Sequence, residues 1–143
     1  MSKLKTYVQN FLLCKKYPFL KMRNVYSGKS LGYEFTELDS LPKGWRKCFG
    51  LAICEELNEL FKTSSTKDFN KKYRIAQIKE KYGSLRWYDN GVPCDIEPKY
   101  DMIIGKYTEL SAQTCIVCGR KCKIKNFNGW YEPICDECEK EFM

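Results

Sequence analysis

Residues 115–138 read CIVCGRKCKIKNFNGWYEPICDEC and contain two matched cysteine pairs. Cys115 and Cys118 form the first pair, Cys135 and Cys138 form the second, and 16 residues separate the pairs. This spacing is typical of zinc ribbons. Each pair places two thiolates on one tight knuckle, and two facing knuckles complete a tetrahedral S4 site that suits zinc. The sequence therefore predicts a structural Zn2+ site, because four thiolates leave no open coordination position for catalysis.

The stretch between the two pairs is predicted to be a β-hairpin, which gives the knuckle, hairpin and knuckle order of a ribbon. Asn128-Gly129 lies between the apolar-bearing runs 123–127 and 130–134, and Asn-Gly in this setting is the strongest short-range hairpin signal. Cys122 is a weaker ligand candidate than the four paired cysteines, because it lacks a paired partner. A redox or disulfide role is the competing interpretation of the pairs.

Three helices are predicted before the ribbon. Residues 3–16 are amphipathic, and Ser2 precedes them as an N-terminal cap. Residues 45–61 place apolar side chains on one face over about five turns, and residues 96–112 form the third helix. The apolar positions are Leu4, Tyr7, Val8, Phe11 and Leu12 in the first helix; Trp45, Cys48, Phe49, Ala52, Ile53, Leu57, Leu60 and Phe61 in the second; and Ile96, Ile103, Tyr107 and Leu110 in the third.

Two β-regions are predicted between these helices. Residues 31–36 alternate between apolar side chains and polar or small ones, which is the period of a half-buried strand, and residues 25–26 are its expected partner. Residues 73–89 are expected to form a hairpin around Tyr82-Gly83-Ser84, which supplies the glycine that a tight turn needs.

These elements together predict an α+β fold. Residues 1–112 form a body in which helices surround a small antiparallel hairpin, and residues 113–143 form a C-terminal zinc ribbon packed on the third helix. Nine cysteines, four of them in metal-type pairs, favour a reducing cytosol over an oxidising compartment. No apolar run approaches the ~20 residues of a membrane span, so the chain is expected to act in the cytoplasm and not in a membrane.

The net charge of +7 is concentrated near the N-terminus. Residues 1–33 contain seven Lys or Arg and no acidic residue, whereas the rest of the chain is balanced. A positive field of this kind attracts nucleic acid, an acidic protein or an anionic surface, or it simply keeps the protein in solution. The candidate binding residues in this quarter are Lys15, Lys16, Lys21 and Arg23.

The hairpin at 73–89 is a second candidate surface, because Lys79, Lys81 and Arg86 are interspersed with aromatic residues. Basic and aromatic side chains on one hairpin can hold phosphates and stack bases. The favoured alternative is an amphipathic hairpin whose aromatics face the core and whose lysines face water. Tyr88 and Trp130 are candidate anchors for a protein partner, since Trp, Tyr and Arg dominate interface hot spots.

Catalysis is not expected from this sequence. The chain has no histidine, which is the commonest general base, and it carries no phosphate-binding glycine loop or nucleophile motif. Its clustered acidic residues are typical of helix surfaces and turns, and a catalytic cation site there is the minor alternative.

Several phrases follow one another in a recognisable order. They are KYPFL at 16–20, Gly44-Trp45, CEEL at 54–57, IKEKYGSLRWY at 78–88, the two cysteine pairs and Gly129-Trp130. This order resembles a group of small proteins found in bacteriophages and bacterial mobile elements, and the resemblance covers most of the chain from about residue 16 onward. It implies a phage-type gene that acts in a bacterial cytoplasm.

Two functions are therefore expected. In the first, the protein is a non-enzymatic phage accessory factor that binds and inhibits a bacterial host or immune-system protein. In the second, the basic N-terminal quarter and the 73–89 hairpin bind nucleic acid.

Overall fold

The computed structural model describes residues 2–142, which contain five helices and two separate two-stranded antiparallel sheets. The helices are α1 (Lys3–Lys16), α2 (continuous through Lys43–Trp45, Arg46–Gly50 and Leu51–Lys62), α3 (Phe69–Lys72), α4 (Glu97–Ser111) and α5 (Asp136–Phe142). The strands are β1 (Ile75–Lys81), β2 (Ser84–Asp89), β3 (Ile124–Phe127) and β4 (Trp130–Pro133). This mixture of helices and small sheets, with four cysteines clustered near the C-terminus, confirms the predicted fold class. None of the helices described between residues 2 and 142 combines the length and apolar character needed to traverse a lipid bilayer.

Helix α1 begins at its predicted cap but packs on an unexpected face. Ser2 Oγ accepts a hydrogen bond from the Lys5 N–H (3.1 Å), as expected of an N-cap. The helix is buried at Asn10 and Cys14, and Asn10 Nδ2 donates to the carbonyl oxygen of Tyr33 (2.8 Å). The apolar stripe read from the sequence therefore lies beside this contact, and all five of its side chains are exposed.

Helix α2 supplies much of the core, but its buried face changes along its length. A π-helical turn over Arg46–Gly50 places more residues in one turn than an α-helix does, and this rotates the positions that follow. Cys48 lies within this turn and Ala52 follows it, and both were expected on the apolar face but are exposed, whereas Cys54 and Asn58 are buried. The buried apolar side chains of α2 are Trp45, Phe49, Ile53, Cys54, Leu57, Leu60 and Phe61.

The hairpin predicted at 73–89 is confirmed by strands β1 and β2. Its turn is Tyr82-Gly83, where both residues have positive φ (54° and 84°), as in a two-residue type I′ turn. Ile78, Leu85 and Trp87 are buried on the inner face of the hairpin. Ser111, at the end of α4, accepts a hydrogen bond on Oγ from the Leu85 N–H (2.8 Å), so the helix and β2 are joined at this point.

A chain of side-chain hydrogen bonds crosses the body. Trp87 Nε1 donates to Tyr73 Oη (2.8 Å), and Tyr100 Oη donates to Asp89 Oδ2 (2.8 Å). The two hydroxyl groups are 2.6 Å apart, and because Tyr100 already donates to Asp89, Tyr73 donates to Tyr100. Buried networks with every member satisfied favour one arrangement of the core over others.

The buried side of α4 differs from the prediction at one end. Tyr107 is buried as expected, but Leu110 is 38% exposed. The buried face of α4 runs through Tyr100, Tyr107 and Ser111, and this leaves Leu110 on the side that faces solvent.

The strand predicted at 31–36 and its partner at 25–26 are wrong. Residues 21–36, all of which the structure describes, contain bends and isolated bridges in place of a sheet. The bridges are Lys21–Thr36 and Arg23–Ser30. A tight turn, in which the Gly28 N–H donates to the carbonyl oxygen of Asn24 (2.9 Å), occupies the positions at which a ladder would have to continue. The period-two pattern therefore marks a loop, in which Leu31 and Phe35 are exposed and Thr36 is buried, and not a strand.

Candidate metal centre and binding surfaces

The four paired cysteines converge at one point. The Sγ atoms of Cys115, Cys118, Cys135 and Cys138 all lie within 4.8 Å of one another, and those of Cys118 and Cys135 are 3.6 Å apart. This distance is much longer than a disulfide bond of ~2.05 Å. It is close to the ~3.8 Å that separates two sulfurs bound tetrahedrally to zinc at ~2.3 Å each. The cluster can therefore hold a metal ion, and its donor set is consistent with zinc.

The two cysteine pairs lie on different local structures. Cys115 and Cys118 lie on a tight knuckle, in which the Gly119 N–H donates to the carbonyl oxygen of Cys115 (3.0 Å). Cys135 immediately precedes α5 and Cys138 lies in its first turn, where the Cys138 N–H donates to Cys135 Sγ (3.4 Å). Two matching knuckles were expected, but the structure has one knuckle, at Cys115 and Cys118, and one helix start, at Cys135 and Cys138.

The hairpin between the pairs has the predicted turn. Strands β3 and β4 pair through Phe127 and Trp130 on either side of Asn128-Gly129. Both turn residues have positive φ, 57° and 92°, which is the type I′ geometry that Asn-Gly favours.

Backbone N–H groups favour thiolates in this cluster. Burial opposes ionisation of Cys115, but N–H groups of Cys118, Cys135 and Val117 donate to its sulfur, and together they lower its pKa to about 6. The pKa of Cys138 is raised, first because its thiol donates a hydrogen bond to Cys135. Thiolates crowded together without a cation repel one another, and a divalent metal removes this conflict because it stabilises all of them.

Ion pairs connect the segments that carry the ligands. Lys125 on β3 pairs with Asp136 and Glu139 of α5, and Arg120 after the first knuckle pairs with Glu137. Asp136, Arg120 and Glu137 are exposed and Lys125 and Glu139 are partly buried, and ion pairs that remain open to water contribute little to stability. The three carboxylates match these two cations, so the ion pairs hold the segments together and do not offset the net charge of about −2 that four thiolates and zinc would carry.

Cys122 lies beside the cluster without belonging to it. Its sulfur is not in the group whose atoms are within 4.8 Å of one another, and burial, followed by the neighbouring cysteines, raises its pKa to about 11. Cys122 is therefore a neutral thiol near the centre. Of the other cysteines, Cys14 and Cys54 are buried, and Cys48 and Cys94 are exposed.

The first knuckle packs directly on the start of α2. The Gly44 N–H donates to the carbonyl oxygen of Ile116 (2.8 Å), and Trp45 Nε1 donates to that of Thr114 (2.8 Å). A Cβ at Gly44 would lie 2.0 Å from the carbonyl oxygen of Cys115, so only glycine permits this approach. The sequence did not reveal this contact, although the Gly44-Trp45 dipeptide at the start of a helix is its visible trace.

The candidate binding residues near the N-terminus lie at two places. Lys15 and Lys16 are exposed at the end of α1, where Lys16 Nζ is 3.7 Å from a carboxylate oxygen of Glu55. Lys21 and Arg23 line a cleft beside the outer edge of β1.

The hairpin candidates share one surface. The pairing of Lys79 with Arg86, and of Gln77 with Tyr88, puts these side chains on the face opposite the buried Trp87. Lys81 is on the same outward face, and Lys79 Nζ is 5.9 Å from the ring centroid of Tyr88. The expectation that the aromatic side chains of the hairpin face the core therefore holds for Trp87, which is buried, and fails for Tyr88, which is exposed among the cations.

Trp130 occupies a separate position on the ribbon hairpin. Its side chain is exposed, and its Nε1 donates to Glu132 Oε1 (2.8 Å). The indole is therefore held in place while its faces are open to solvent.

No protein-family model matches the chain, and neither a curated protein nor a solved structure shows significant similarity to it.

Proposed function

We propose that the protein is a non-enzymatic, zinc-braced binding protein that contacts a partner protein through the exposed apolar side of α1. The observation that carries this proposal is a surface formed by α1 and residues 31–35, here called the α1 face. Its large apolar side chains are Leu4, Tyr7, Val8, Phe11, Leu12, Leu31 and Phe35, each at least 42% exposed.

The α1 face is continuous and well ordered by internal contacts. Tyr33 makes edge-to-face contacts with Tyr7 and Phe11, with ring centroids 5.6 and 5.1 Å apart, so the loop is held against the helix. With ordinary side-chain areas, the exposed apolar surface is on the order of 700 Å², above what a monomeric protein usually leaves exposed in one patch. Such a surface is typical of an interface.

Charge at the edge of the α1 face favours an acidic partner. Lys3, Lys5 and Lys15 lie on the same helix, and among the described residues Glu34 is the one acidic residue lining the groove of about 570 Å³ between α1 and the loop. A partner whose apolar anchors are surrounded by carboxylates would match this pattern, since complementary charge speeds association and excludes wrong partners.

The resemblance to proteins of bacteriophages and mobile elements supports a biological setting for this contact. In that setting the protein acts in the bacterial cytoplasm and inhibits a host or immune-system protein by occupying its surface. Zinc, bound by Cys115, Cys118, Cys135 and Cys138, stabilises the C-terminal segment and takes no part in recognition, because four thiolates leave it no open position.

The experiment that tests this function combines capture with a matched pair of variants. The tagged protein is recovered from phage-bearing bacteria with nuclease treatment, the captured protein is identified and purified, and its affinity is measured for wild type, Leu4→Asp and Met102→Asp. Leu4 and Met102 are both 74% exposed, but only Leu4 lies on the α1 face. Leu4→Asp should weaken binding at least 10-fold, as at an interface hot spot, and Met102→Asp should not.

Three outcomes would contradict the proposal. Loss of the partner on nuclease treatment would indicate a nucleic-acid bridge. Equal effects of the two variants would remove the α1 face from the interface. Concentration-dependent self-association that Leu4→Asp abolishes would assign this face to a second copy of the chain.

Nucleic-acid binding is the second candidate function, and the outward side of the hairpin is the observation that favours it. Lys79, Lys81, Arg86 and Tyr88 share that side, which combines phosphate-neutralising charge with a stacking ring. Affinity for a single-stranded oligonucleotide should then fall steeply with salt and weaken in Arg86→Gln. A weak salt dependence, or equal affinity in Arg86→Gln, would exclude this surface.

A further inference from the structure

A cleft of about 610 Å³ separates the loop at 21–28 from the outer edge of β1. Its volume falls in the range of ~300–1,000 Å³ typical of small-molecule sites. Met22, Ile75 and Ile78 are apolar residues among those that line it. The backbone of β1 is also part of this wall, and β1 pairs only with β2 in the described residues. The cleft therefore offers both apolar surface and open hydrogen-bonding groups.

Three cations line the same cleft, and none has a carboxylate partner. Lys21, Arg23 and Arg74 are all lining residues, and none of them occurs in the ion pairs found among residues 2–142. The two arginines donate to backbone carbonyls instead. Arg23 Nη1 donates to Gly28 (3.0 Å), and Arg74 Nη1 donates to Lys71 (2.7 Å) and Tyr73 (3.0 Å).

The two guanidinium groups also influence each other. Both line the same cleft, and burial, and after it the charge of Arg23, lowers the pKa of Arg74. Arg23 Nε is buried and has no hydrogen-bond partner among the described residues. A partly buried donor without an acceptor is costly, and an anion between the two guanidinium groups would supply the acceptor.

The acidic residue of the cleft does not cancel these charges. Glu37 lines the cleft, and burial raises its pKa to about 7, so near neutral pH a large fraction of this carboxyl group is uncharged. The cleft consequently carries between two and three positive charges near neutral pH, and an anion with two negative charges fits it better than one with a single charge.

We propose that this cleft binds a small phosphorylated molecule of about mononucleotide size. The phosphate lies between Arg23 and Arg74, because planar guanidinium forks match phosphate oxygens in pairs, and Lys21 adds a third positive charge. The rest of the ligand lies along Met22, Ile75 and the free edge of β1. An inorganic phosphate would leave most of the volume unfilled, so the proposal concerns a phosphate ester with an apolar or planar part. The proposal is independent of the α1 face.

The test uses the full, zinc-loaded chain and three probes: adenosine 5′-monophosphate, inorganic phosphate and adenosine. Binding is followed by calorimetry and by amide shifts in NMR spectra. The nucleotide should bind more tightly than inorganic phosphate, adenosine should bind least, and the shifts should concentrate at residues 21–24, 74–78 and 90. Arg23→Gln and Arg74→Gln should each weaken nucleotide binding at least 10-fold, as expected for a charged bidentate contact.

Lys29→Gln is the matched control, because Lys29 follows the same loop but does not line the cleft. It should change affinity less than 2-fold. Arg74→Gln removes two hydrogen bonds to backbone carbonyls and can destabilise the fold. Arg23→Gln removes only one such bond, so it decides the test if Arg74→Gln unfolds. Arg23→Lys should recover only part of the affinity, because lysine lacks the planar fork.

Three results would overturn the proposal. The first is that neither the nucleotide nor inorganic phosphate binds saturably at concentrations up to about 10 mM. The second is an equal loss of affinity in Lys29→Gln and Arg23→Gln, which would indicate a diffuse field. The third is binding of an oligonucleotide without terminal phosphate while the mononucleotide fails to bind, which would assign the cations to a nucleic-acid strand.

Discussion

Replacing Gly44 with alanine tests how the cysteine cluster is attached to the body. An added Cβ would lie 2.0 Å from the carbonyl oxygen of Cys115, 2.7 Å from the nitrogen of Gly119 and 2.8 Å from the carbonyl carbon of Ile116. All three are backbone atoms, so no change of side-chain rotamer can relieve the overlap. Ordinary contact begins near 3.4 Å, so the knuckle and α2 must move apart by more than an ångström.

The separation has a cost that can be worked from the contacts it breaks. The bonds from the Gly44 N–H to Ile116 and from Trp45 Nε1 to Thr114, both 2.8 Å, span the same gap. Trp45 is fully buried, and a buried donor left without its partner costs about 1–3 kcal/mol. Overpacking adds about 1–3 kcal/mol. Gly44→Ala should therefore lower the free energy of unfolding by about 2–6 kcal/mol, a large share of the ~5–15 kcal/mol of a typical domain.

Urea denaturation with stoichiometric zinc, followed by circular dichroism and tryptophan fluorescence, measures this loss. Gly105→Ala is the matched control: Gly105 lies inside α4 with no atom within 4 Å of its added Cβ, so helix propensity should raise stability by about 1 kcal/mol. Gly44→Ala should still bind metal, because all four candidate ligands lie in residues 115–138. A Gly44→Ala variant within about 1 kcal/mol of wild type would refute the packing of the knuckle on α2.

Three further predictions follow from the metal centre and the core. Metal analysis of the purified protein should find one zinc per chain. A chelator, or the substitution Cys138→Ser, should remove the zinc and unfold residues 113–142, whereas Cys48→Ser, at an exposed cysteine outside the cluster, should leave the zinc bound. A fold that stays intact in chelator would exclude a structural zinc site. Burial raises the pKa of Glu37 to about 7, above its value in the unfolded chain, so ionisation of this residue destabilises the fold as pH rises. Between pH 6 and 8 the free energy of unfolding of wild type, measured by urea denaturation, should fall by about 1 kcal/mol relative to that of Glu37→Gln. Parallel pH profiles of the two proteins would contradict the burial of Glu37. Tyr73→Phe should cost about 1–3 kcal/mol, because Trp87 Nε1 loses its acceptor; an unchanged denaturation midpoint would show that the hydroxyl chain is not formed.

Elements with local causes were predictable from the sequence. Ser2 caps α1, Tyr82-Gly83 and Asn128-Gly129 form two-residue turns, and the cysteine spacing identified four sulfurs that converge. Each of these signals acts over a few neighbouring residues, where backbone sterics and hydrogen bonding decide the outcome. The cysteine cluster required in addition only that the two cysteine pairs face each other.

Burial of a helix face depends on what the rest of the chain places beside it. Helical spacing identified the apolar stripe of α1, but it does not say whether another element covers that stripe. Asn10 is buried instead, since its amide donates to the carbonyls of Tyr33 and Glu34, and such a tertiary match leaves no periodic trace. The same limit applies to α2, where a π-helical turn over Arg46–Gly50 shifted Cys48 out of the core.

The cleft was missed for a related reason. Lys21 and Arg23 were selected for their charge alone, whereas Arg74 and Glu37 come from distant parts of the chain and meet them only in the fold. A cation's sequence position says nothing about whether a carboxylate will reach it. Only the structure separates cations that have local partners from those that do not.

The difference between cations with and without carboxylate partners indicates which charges can bind a ligand. Lys16, Arg46, Lys106 and Lys125 all find carboxylates on neighbouring elements, so their charges are locally balanced. Exposed lysines without partners cost little, because water solvates them. Arg23 is different, since its Nε is buried without a partner and a second guanidinium lines the same cleft. A fold that leaves two partly buried cations together without a counter-ion is best satisfied by an anion from outside, so Arg23 and Arg74 mark a defined cleft, whereas the exposed lysines of α1 form a separate surface.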